Sequence, residues 1–483
     1  MEGSKPTYQY TRFLILRLLG FVYFFAFLSL ALQVVPLVGQ DGLLPANTFL
    51  EAVRAQAGSR LGAFLELPGF FWLGLSDRLL VVMAWTGAAL SLAVLLGCAN
   101  ALLMAALWML YMSFVHVGQD WYGYGWEIQL LETGFLAIFL CPLLDGRPFP
   151  KTPPPPVVIR LFRWLAFRIM LGAGLIKLRG DPCWRDLTCL YYHYETQPIP
   201  NPLSPYFHFA PHWFLKIEAL WNHFIELVVP WVAFGPRKAR PIAGALLASF
   251  QVVLILSGNL SFLNYLTIVP ILACFDDSLF PQRLPDPEPS KLHENIAVGL
   301  AVVIAALSIA PTMNLLSGAQ LMNASFDPLH LVNTYGAFGS VGRERREIVF
   351  EGSDDREHWK EYEFPCKPGD PFRHPCFVSP YQPRLDWQIW FAAMSTPDQY
   401  PWTFHFIWKL LYNDPGTLRL LAKNPFPQKP PRYIRAELYH YWFAPLGNLE
   451  GAWWKRERLG DWLPPLSAED PDFRQLLDAN GWK

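Results

Sequence analysis

Residues 172–202 read GAGLIKLRGDPCWRDLTCLYYHYETQPIPNP, an apolar helix end that passes directly into a polar loop carrying two cysteines. Lys177 and Arg179 stand where the apolar helix meets water, and Cys183 and Cys189 bracket a short loop beyond them. A long apolar run that ends in cationic side chains is how a membrane span terminates. The stretch therefore sets the class of the chain as a membrane α-helical bundle.

Composition agrees. The 483 residues are 52% hydrophobic, 16% aromatic and only 16% charged, with a positive mean hydropathy, which is too apolar for an ordinary soluble enzyme of this size. A net charge of -1 gives no global basic field. No basic run with interleaved aromatics suggests a nucleic-acid groove, so no nucleic acid is expected as a partner. The 44 prolines crowd between apolar runs and in the last third, where helices stop and irregular loops begin.

Working outward from Gly172, nine runs are long enough for a hydrocarbon layer of about 30 Å. They are Phe13–Val35, Leu79–Leu96, Ala99–Val117, Ile128–Leu144, Val157–Leu178, Phe214–Phe234, Ile242–Leu256, Leu260–Phe275 and Ile296–Leu316. The short seventh and eighth also fit one broken or re-entrant element around Ser257-Gly258-Asn259. The first run continues to Val38 with no small-residue cleavage pattern after it, and reads as a retained span rather than a signal peptide. Leu61 to Leu75, interrupted by Glu66 and Pro68, fits an interfacial helix better than a span.

Orientation follows from Lys and Arg in the short loops, because positive loops stay cytoplasmic. Lys5, Arg12 and Arg17 surround the first span, Arg147, Lys151 and Arg160 flank the fourth-to-fifth connection, and Arg237, Lys238 and Arg240 form the sixth-to-seventh. With the N-terminus inside, all three groups are cytoplasmic. Residues 179–213 then form an outward loop, and the chain after the ninth span faces outward too. The expected organisation is a transmembrane domain over residues 1–319 and an extramembrane C-terminal domain over 320–483.

The cysteines test this independently. Cys98, Cys141 and Cys274 lie in or at the ends of apolar runs and read as packing residues. Cys183 with Cys189, and Cys366 with Cys376, all lie in outward segments, where an oxidising compartment permits disulfides. Closing loops this short stabilises by roughly 2 to 3 kcal/mol each on the chain-entropy estimate. A redox-active or metal-binding pair is the rival reading, but neither pair is CxxC and no His/Cys quartet has zinc spacing. No metal or cofactor is expected.

Beyond Gln320 the periodicity changes. Arg346–Gly352 and Trp359–Phe364, separated by a polar turn, read as a strand pair; Arg384–Met394 and Trp402–Leu411 read as aromatic-rich helices; Tyr433–Trp442 alternates like a strand. A compact mixed α/β domain is expected, whose dense Trp and Tyr content packs a core, docks on the membrane interface or holds an apolar partner.

Ionisable groups inside spans cost roughly 2.5 to 3.5 kcal/mol each on insertion scales, so they find partners or serve a purpose. Arg168 sits near the middle of the fifth span and Lys177 near its outer end. Glu132 enters the fourth span from the outer side, and Glu218, His223 and Glu226 enter the sixth from that side. An intramembrane polar cluster of Glu132, Arg168, Lys177, His223 and Glu226 is expected, with the two glutamates neutralising Arg168 or Lys177. One reading is a salt-bridge network that fixes helix register. In a second, Lys177 is a catalytic base in a membrane-embedded enzyme for a quinone-like or lipid substrate, assisted by Glu132, His223 and Glu226, and in a third the cluster serves only to bind lipid. Asn264 and Gln251 are interhelical hydrogen-bonding candidates. Two glycosylation sequons begin at Asn259 and Asn323. No inverted repeat points to a transporter.

At this point several blocks carry a likeness: the opening stretch, WNHFIELVVP at Trp221–Pro230, SGNLSFLNYLTIVPILACFDD at Ser257–Asp277, VNTYGAFGSV at Val332–Val341 and YEFPCKPGDPFRHPCFVSPYQPRLDWQIWFAA at Tyr362–Ala393. The chain strongly resembles the lipase maturation factor family from about Arg160 to its C-terminus. The resemblance implies a multi-pass endoplasmic reticulum membrane protein, C-terminus lumenal, that helps secreted lipases such as lipoprotein lipase reach an active state without hydrolysing lipid itself. For a bacterial homologue it implies the cytoplasmic membrane with a periplasmic C-terminus. No GxSxG elbow occurs, and the end Asn480-Gly481-Trp482-Lys483 carries no retention signal. On this reading the partners are a lipase client and membrane lipid, and Trp184, Arg185, Tyr191 and Tyr192 of the outward loop are client-binding candidates. A fainter likeness, Ala173-Gly174-x-x-Lys177-Leu178 followed by Trp184, looks like a motif in the membrane domain of vitamin K-dependent gamma-carboxylase, where the matching lysine serves as base.

Overall fold

The computed structural model describes residues 6–280 and 288–482; Lys5 of the charge count and the terminal Lys483 lie outside the described residues. The chain opens with α1 (Gln9–Val38), 30 residues and so roughly 45 Å long. Two short helices follow, α2 (Ala46–Ala57) and α3 (Arg60–Glu66). Next come α4 (Asp77–Leu96), α5 (Ala101–Val117), α6 (Gly125–Leu140) and α7 (Pro156–Arg179).

Local chemistry sets these limits. Ser76 and Asn100 accept the backbone N–H of Leu79 and Leu103, capping α4 and α5. α7 begins where the proline run Pro153–Pro156 ends, with Pro156 at its first position.

Beyond α7 the loop over residues 179–213 folds into α8 (Pro182–Arg185), α9 (Leu190–Thr196) and α10 (Ser204–His208). The chain re-enters the bundle as α11 (His212–Leu227) with the short α12 (Val229–Val232), then α13 (Arg240–Ser257), α14 (Leu263–Ile271), α15 (Lys291–Leu307) and α16 (Ile309–Leu316). Among the described residues, four helices are long and apolar enough to cross a membrane: Gln9–Val38, Asp77–Leu96, Arg240–Ser257 and Lys291–Leu316, the last being α15 and α16 together. Ala101–Val117 and Leu263–Cys274 are shorter and equally apolar. Most exposed side chains of α11, among them Ile217, Leu220 and Trp221, are apolar, while His212 and Lys216 in its first half are exposed as well. The Leu61–Leu75 stretch breaks at Leu67 and Pro68 into α3 and a single turn at Phe70–Trp72, leaving Leu61, Leu65 and Leu73 exposed.

The C-terminal region is built on a four-stranded antiparallel sheet of β1 (Arg345–Ser353), β2 (Lys360–Glu361), β3 (Tyr433–Phe443) and β4 (Trp454–Ser467), in the order β2-β1-β3-β4. Helices α17 (Arg384–Ala393), α18 (Trp402–Leu411), α19 (Pro415–Leu418) and α20 (Pro471–Asn480) complete it. Phe350 of β1 and Phe406 of α18 meet with ring centroids 5.0 Å apart in its core.

Two expectations change here. The strand expected over Trp359–Phe364 is reduced to two residues and a single bridge from Glu363 to Lys423, so the main partner of β1 is β3. The sequence reading missed β4, because Pro464 and Pro465 read against a strand; it lies at the sheet edge, where proline leaves no neighbouring acceptor unpaired.

Candidate outward-face site

The opening stretch is clamped from both sides, and its glycines are the reason. A Cβ on Gly174 would sit 2.7 Å from the Leu227 side chain and 3.0 Å from the Glu226 Cβ, so glycine lets α11 approach α7 this closely without displacing Leu227. A Cβ on Gly172 would meet the Tyr335 carbonyl oxygen at 2.4 Å, and one on Gly180 the Gly339 oxygen at 2.2 Å. Residues 332–341, the VNTYGAFGSV block, thus form a strap across the outer end of α7. The backbone N–H of Asp181 donates to Gly339 O (2.9 Å) and the Trp184 indole donates to Phe338 O (2.7 Å).

Four of the ionisable residues expected to cluster form two separate pairs. Glu132 and Arg168 are ion-paired, and both are buried. The strap completes this pair: Arg168 donates to Asn333 O (2.6 Å), while Glu132 Oε2 accepts from the Asn333 N–H (3.0 Å) and the Tyr335 hydroxyl (2.7 Å). Lys177 Nζ lies 2.5 and 2.7 Å from the two oxygens of Glu226, which also accepts from Asn222 Nδ2 at 2.7 Å. The Trp184 ring covers the ammonium, with its centroid 5.2 Å away. Arg168 and Lys177 are nine residues apart on one helix, so the pairs are separated by roughly 13.5 Å along its axis. His223 joins neither pair; its Nε2 bonds the Trp184 carbonyl at 2.9 Å. Glu218 accepts from the Tyr194 hydroxyl (2.6 Å), and Asn264 donates to Gln251 Oε1 (2.9 Å).

In the loop itself Cys183 and Cys189 are joined, as are Cys366 and Cys376. Asp181 lies within 4.8 Å of both sulfurs of the first pair, but the bonded cysteines present no thiolate. Its own carboxylate is engaged by the Cys183 N–H (2.9 Å) and Arg343 (3.0 Å). Burial opposes ionisation of Asp181, yet the hydrogen bonds from Cys183 and Val341 and the Arg343 charge hold its pKa below the ordinary carboxylate value. Trp184 is 2% exposed and presents no surface to a partner, whereas Arg185 is exposed and Tyr191 and Tyr192 are half-buried. Tyr191 stacks on His212 (4.1 Å) and Tyr192 lies beneath Arg343 (4.8 Å). Burial, with the Lys177 charge added to it, pushes the His193 pKa down to about 4.

A second polar seam lies where the C-terminal region enters the bundle, and the sequence reading did not find it. Arg384, fully buried, donates to Glu127 (2.8 Å), whose other oxygen accepts from Tyr111. The backbone N–H of Arg384 donates to Gln33 Oε1 (2.9 Å) and Gln33 Nε2 donates to Gln382 O (2.7 Å), tying α17 to α1. The signal was present as a glutamate near the start of the fourth run and an arginine after Pro383. Only their burial on opposite sides of one contact pairs them. Asn259 is buried and uses both ends of its amide, on Cys376 O and on the N–H groups of Val378 and Ser379, so its sequon is closed; Asn323 is exposed.

The chain matches the family model described as lipase maturation factor transmembrane domain over residues 10–282, and that described as lipase maturation factor C-terminal domain over residues 331–464. It is 50% identical to lipase maturation factor 1 of Bos taurus, an alignment covering 99% of this chain and 92% of that one. The human protein of the same name is 49% identical over 99% and 91%. Lipase maturation factor 2 of Gallus gallus is 32% identical over 100% and 84%. No solved structure matches.

Proposed function

The chain belongs to the lipase maturation factor family, and from that premise we propose that it is a chaperone-like membrane factor that assists folding and assembly of secreted lipases. The observation that carries the proposal is identity of about one residue in two with lipase maturation factor 1 across nearly the whole of both chains. Two features of the geometry support it. The outward loop is held rigid from four directions, by α7, α11, the strap and the Cys183–Cys189 disulfide, which suits a surface that must hold a folding intermediate rather than fold with it. Lys177, the one candidate for base chemistry, is saturated by Glu226 and Asn222 and roofed by Trp184.

We place the protein in the endoplasmic reticulum membrane with nine spans, a cytoplasmic N-terminus and a lumenal C-terminal domain. Contacts among the connections support this reading. Arg12 reaches the carbonyls of Pro150 and Thr152, and the backbone of Tyr10 bonds Asp277 (2.9 Å), which gathers the basic connections at one end. At the other end the strap, the outward loop and the C-terminal sheet meet through Arg345, which donates to the carbonyls of Glu195, Gln197 and Pro198. The client surface comprises Arg185, Tyr191 and Tyr192 together with exposed aromatics of the C-terminal domain, and Trp184 acts from beneath as their support.

The test is complementation. In cells lacking their own lipase maturation factors, expression of this chain is expected to restore the specific activity of secreted lipoprotein lipase. Lipase that is secreted but remains inactive, with the factor present at normal level in the endoplasmic reticulum, overturns the proposal.

A further inference from the structure

The connection between β3 and β4 presents leucines to solvent on a frame too well fixed to be an idle loop. Leu449 is fully exposed and Leu446 is 42% exposed. Between them Asn448 closes the loop on itself: Nδ2 donates to the carbonyls of Pro445 (2.9 Å) and Ala452 (2.7 Å), and Oδ1 accepts from the Ala452 N–H (3.1 Å). Gly447 and Gly451, at φ of 74° and 71°, supply the left-handed positions that this turn needs. The loop's stem is equally held, since the N–H groups of Trp453 and Trp454 both donate to Pro371 O. Two exposed leucines on one ordered turn mark a contact surface only together with the apolar side chains exposed beside them.

Its position says what it contacts. Arg345 of β1 pairs with Tyr441 of β3, so the end of β3 that leads into this loop is the end joined to the outward loop through Arg345. Phe443 N–H donates to Glu195 Oε2 (2.8 Å), and the Phe443 ring meets His208 of α10 with centroids 5.5 Å apart. α10 itself exposes Tyr206 and is flanked by exposed Leu203 and Phe209. Four residues after Phe209 comes Trp213, 66% exposed at the outer end of α11, above that helix's apolar outer face. Exposed apolar side chains thus occur on α11, around α10 and at the hairpin tip, and the Phe443–His208 contact sets the tip's strand beside α10.

We propose that the β3–β4 tip is a membrane foot: Leu446 and Leu449 enter the outer-leaflet interface beside α10, with the neighbouring Asn448 and Glu450 at headgroup level. The tip's place beside α10, whose neighbouring exposed apolar side chains lead into the helix read as a span, selects the bilayer over a protein client as the occupant. Amphipathic elements of this kind sit about 5 to 10 Å into the headgroup and acyl boundary. The inference rests on the proposed reading of α11 as a span.

The experiment uses the full chain in phosphatidylcholine nanodiscs, in a Cys98→Ser background, with Leu449→Cys carrying an environment-sensitive fluorophore. Ile217→Cys on α11 is the lipid-facing control and Glu357→Cys, in the turn at the opposite end of the sheet, the aqueous one. Leu446→Cys replaces Leu449→Cys if the latter fails to fold. The expected result is a blue-shifted emission at the tip that is quenched by a nitroxide at carbon 5 of the acyl chain and resists iodide, as at Ile217. Water-like emission at the tip with lipid-like emission at Ile217 overturns the foot and leaves α11 in the membrane. Water-like emission at both overturns the span reading. Emission that turns blue only when a lipase is added overturns the foot in favour of a client-docking loop.

Discussion

Lys177 is 4% exposed, and its charge is met at every side by Glu226, Asn222 and the face of Trp184. Removing one partner of such a pair leaves the other charged and unsolvated, which costs about 3 to 5 kcal/mol. Lys177→Met is therefore expected to lower the unfolding free energy in detergent by that much, read as a lowered midpoint. Lys177→Met with Glu226→Gln should regain most of it. A Lys177→Met protein of undiminished stability that no longer activates lipase would instead make the lysine a reactive group. His193 adds a pH dependence. It is held neutral, with its pKa at about 4 against the usual 6.5, so the folded state binds the proton less readily than the unfolded one. The stability this confers is whole above pH 6.5 and is lost as pH falls towards 4, by about 3 kcal/mol in all. Unfolding midpoints at pH 7, 5.5 and 4.5 should show that loss, and His193→Asn should remove the histidine's share of the slope.

At the scale of elements, α7 is the axis on which the strap and α11 close. The two closures differ in what a methyl group would meet. On Gly180 it strikes the Gly339 backbone oxygen, and the Ile176 oxygen lies 2.9 Å away, so neither obstacle can rotate aside. On Gly174 the nearest atom is the end of the Leu227 side chain, which can. Gly180→Ala is expected to destabilise by about 1 to 3 kcal/mol, in the range for overpacking, and to speed amide exchange in residues 336–341. Gly174→Ala should leave that exchange near wild type. The equal protection of the strap in both variants would show that it is not held by its approach to Gly180.

For the whole molecule, the seam through Arg384 ties the bundle to the C-terminal region, and the two are expected to unfold as one. The Arg384 guanidinium, Glu127 and Tyr111 come from α17, α6 and α5, and the Gln33 amide of α1 closes the contact. Arg384→Met strands the Glu127 carboxylate, again about 3 to 5 kcal/mol. Calorimetry should show one unfolding transition in the wild type and two in the variant. Two transitions in the wild type would mean that the regions are only loosely docked.

Much of this was legible in the chain. Apolar runs of bilayer length disclose a helical membrane protein because the core of a bilayer offers a backbone no other partner, and the blocks around Gly172, Asn259 and Val332 disclose the family. The ionisable residues Glu132, Arg168, Lys177 and Glu226 announced themselves because charge in an apolar run demands a reason. What no reading along the chain could supply was the pairing. That Glu132 belongs with Arg168 and Lys177 with Glu226, that His223 turns away to a carbonyl, and that Arg384 enters the bundle to meet Glu127 are set by contacts between residues tens to hundreds of positions apart. Only the packed structure brings those together, and along α7 it does so through glycines whose lack of a side chain is invisible as a signal until the neighbour that needs the space is in view.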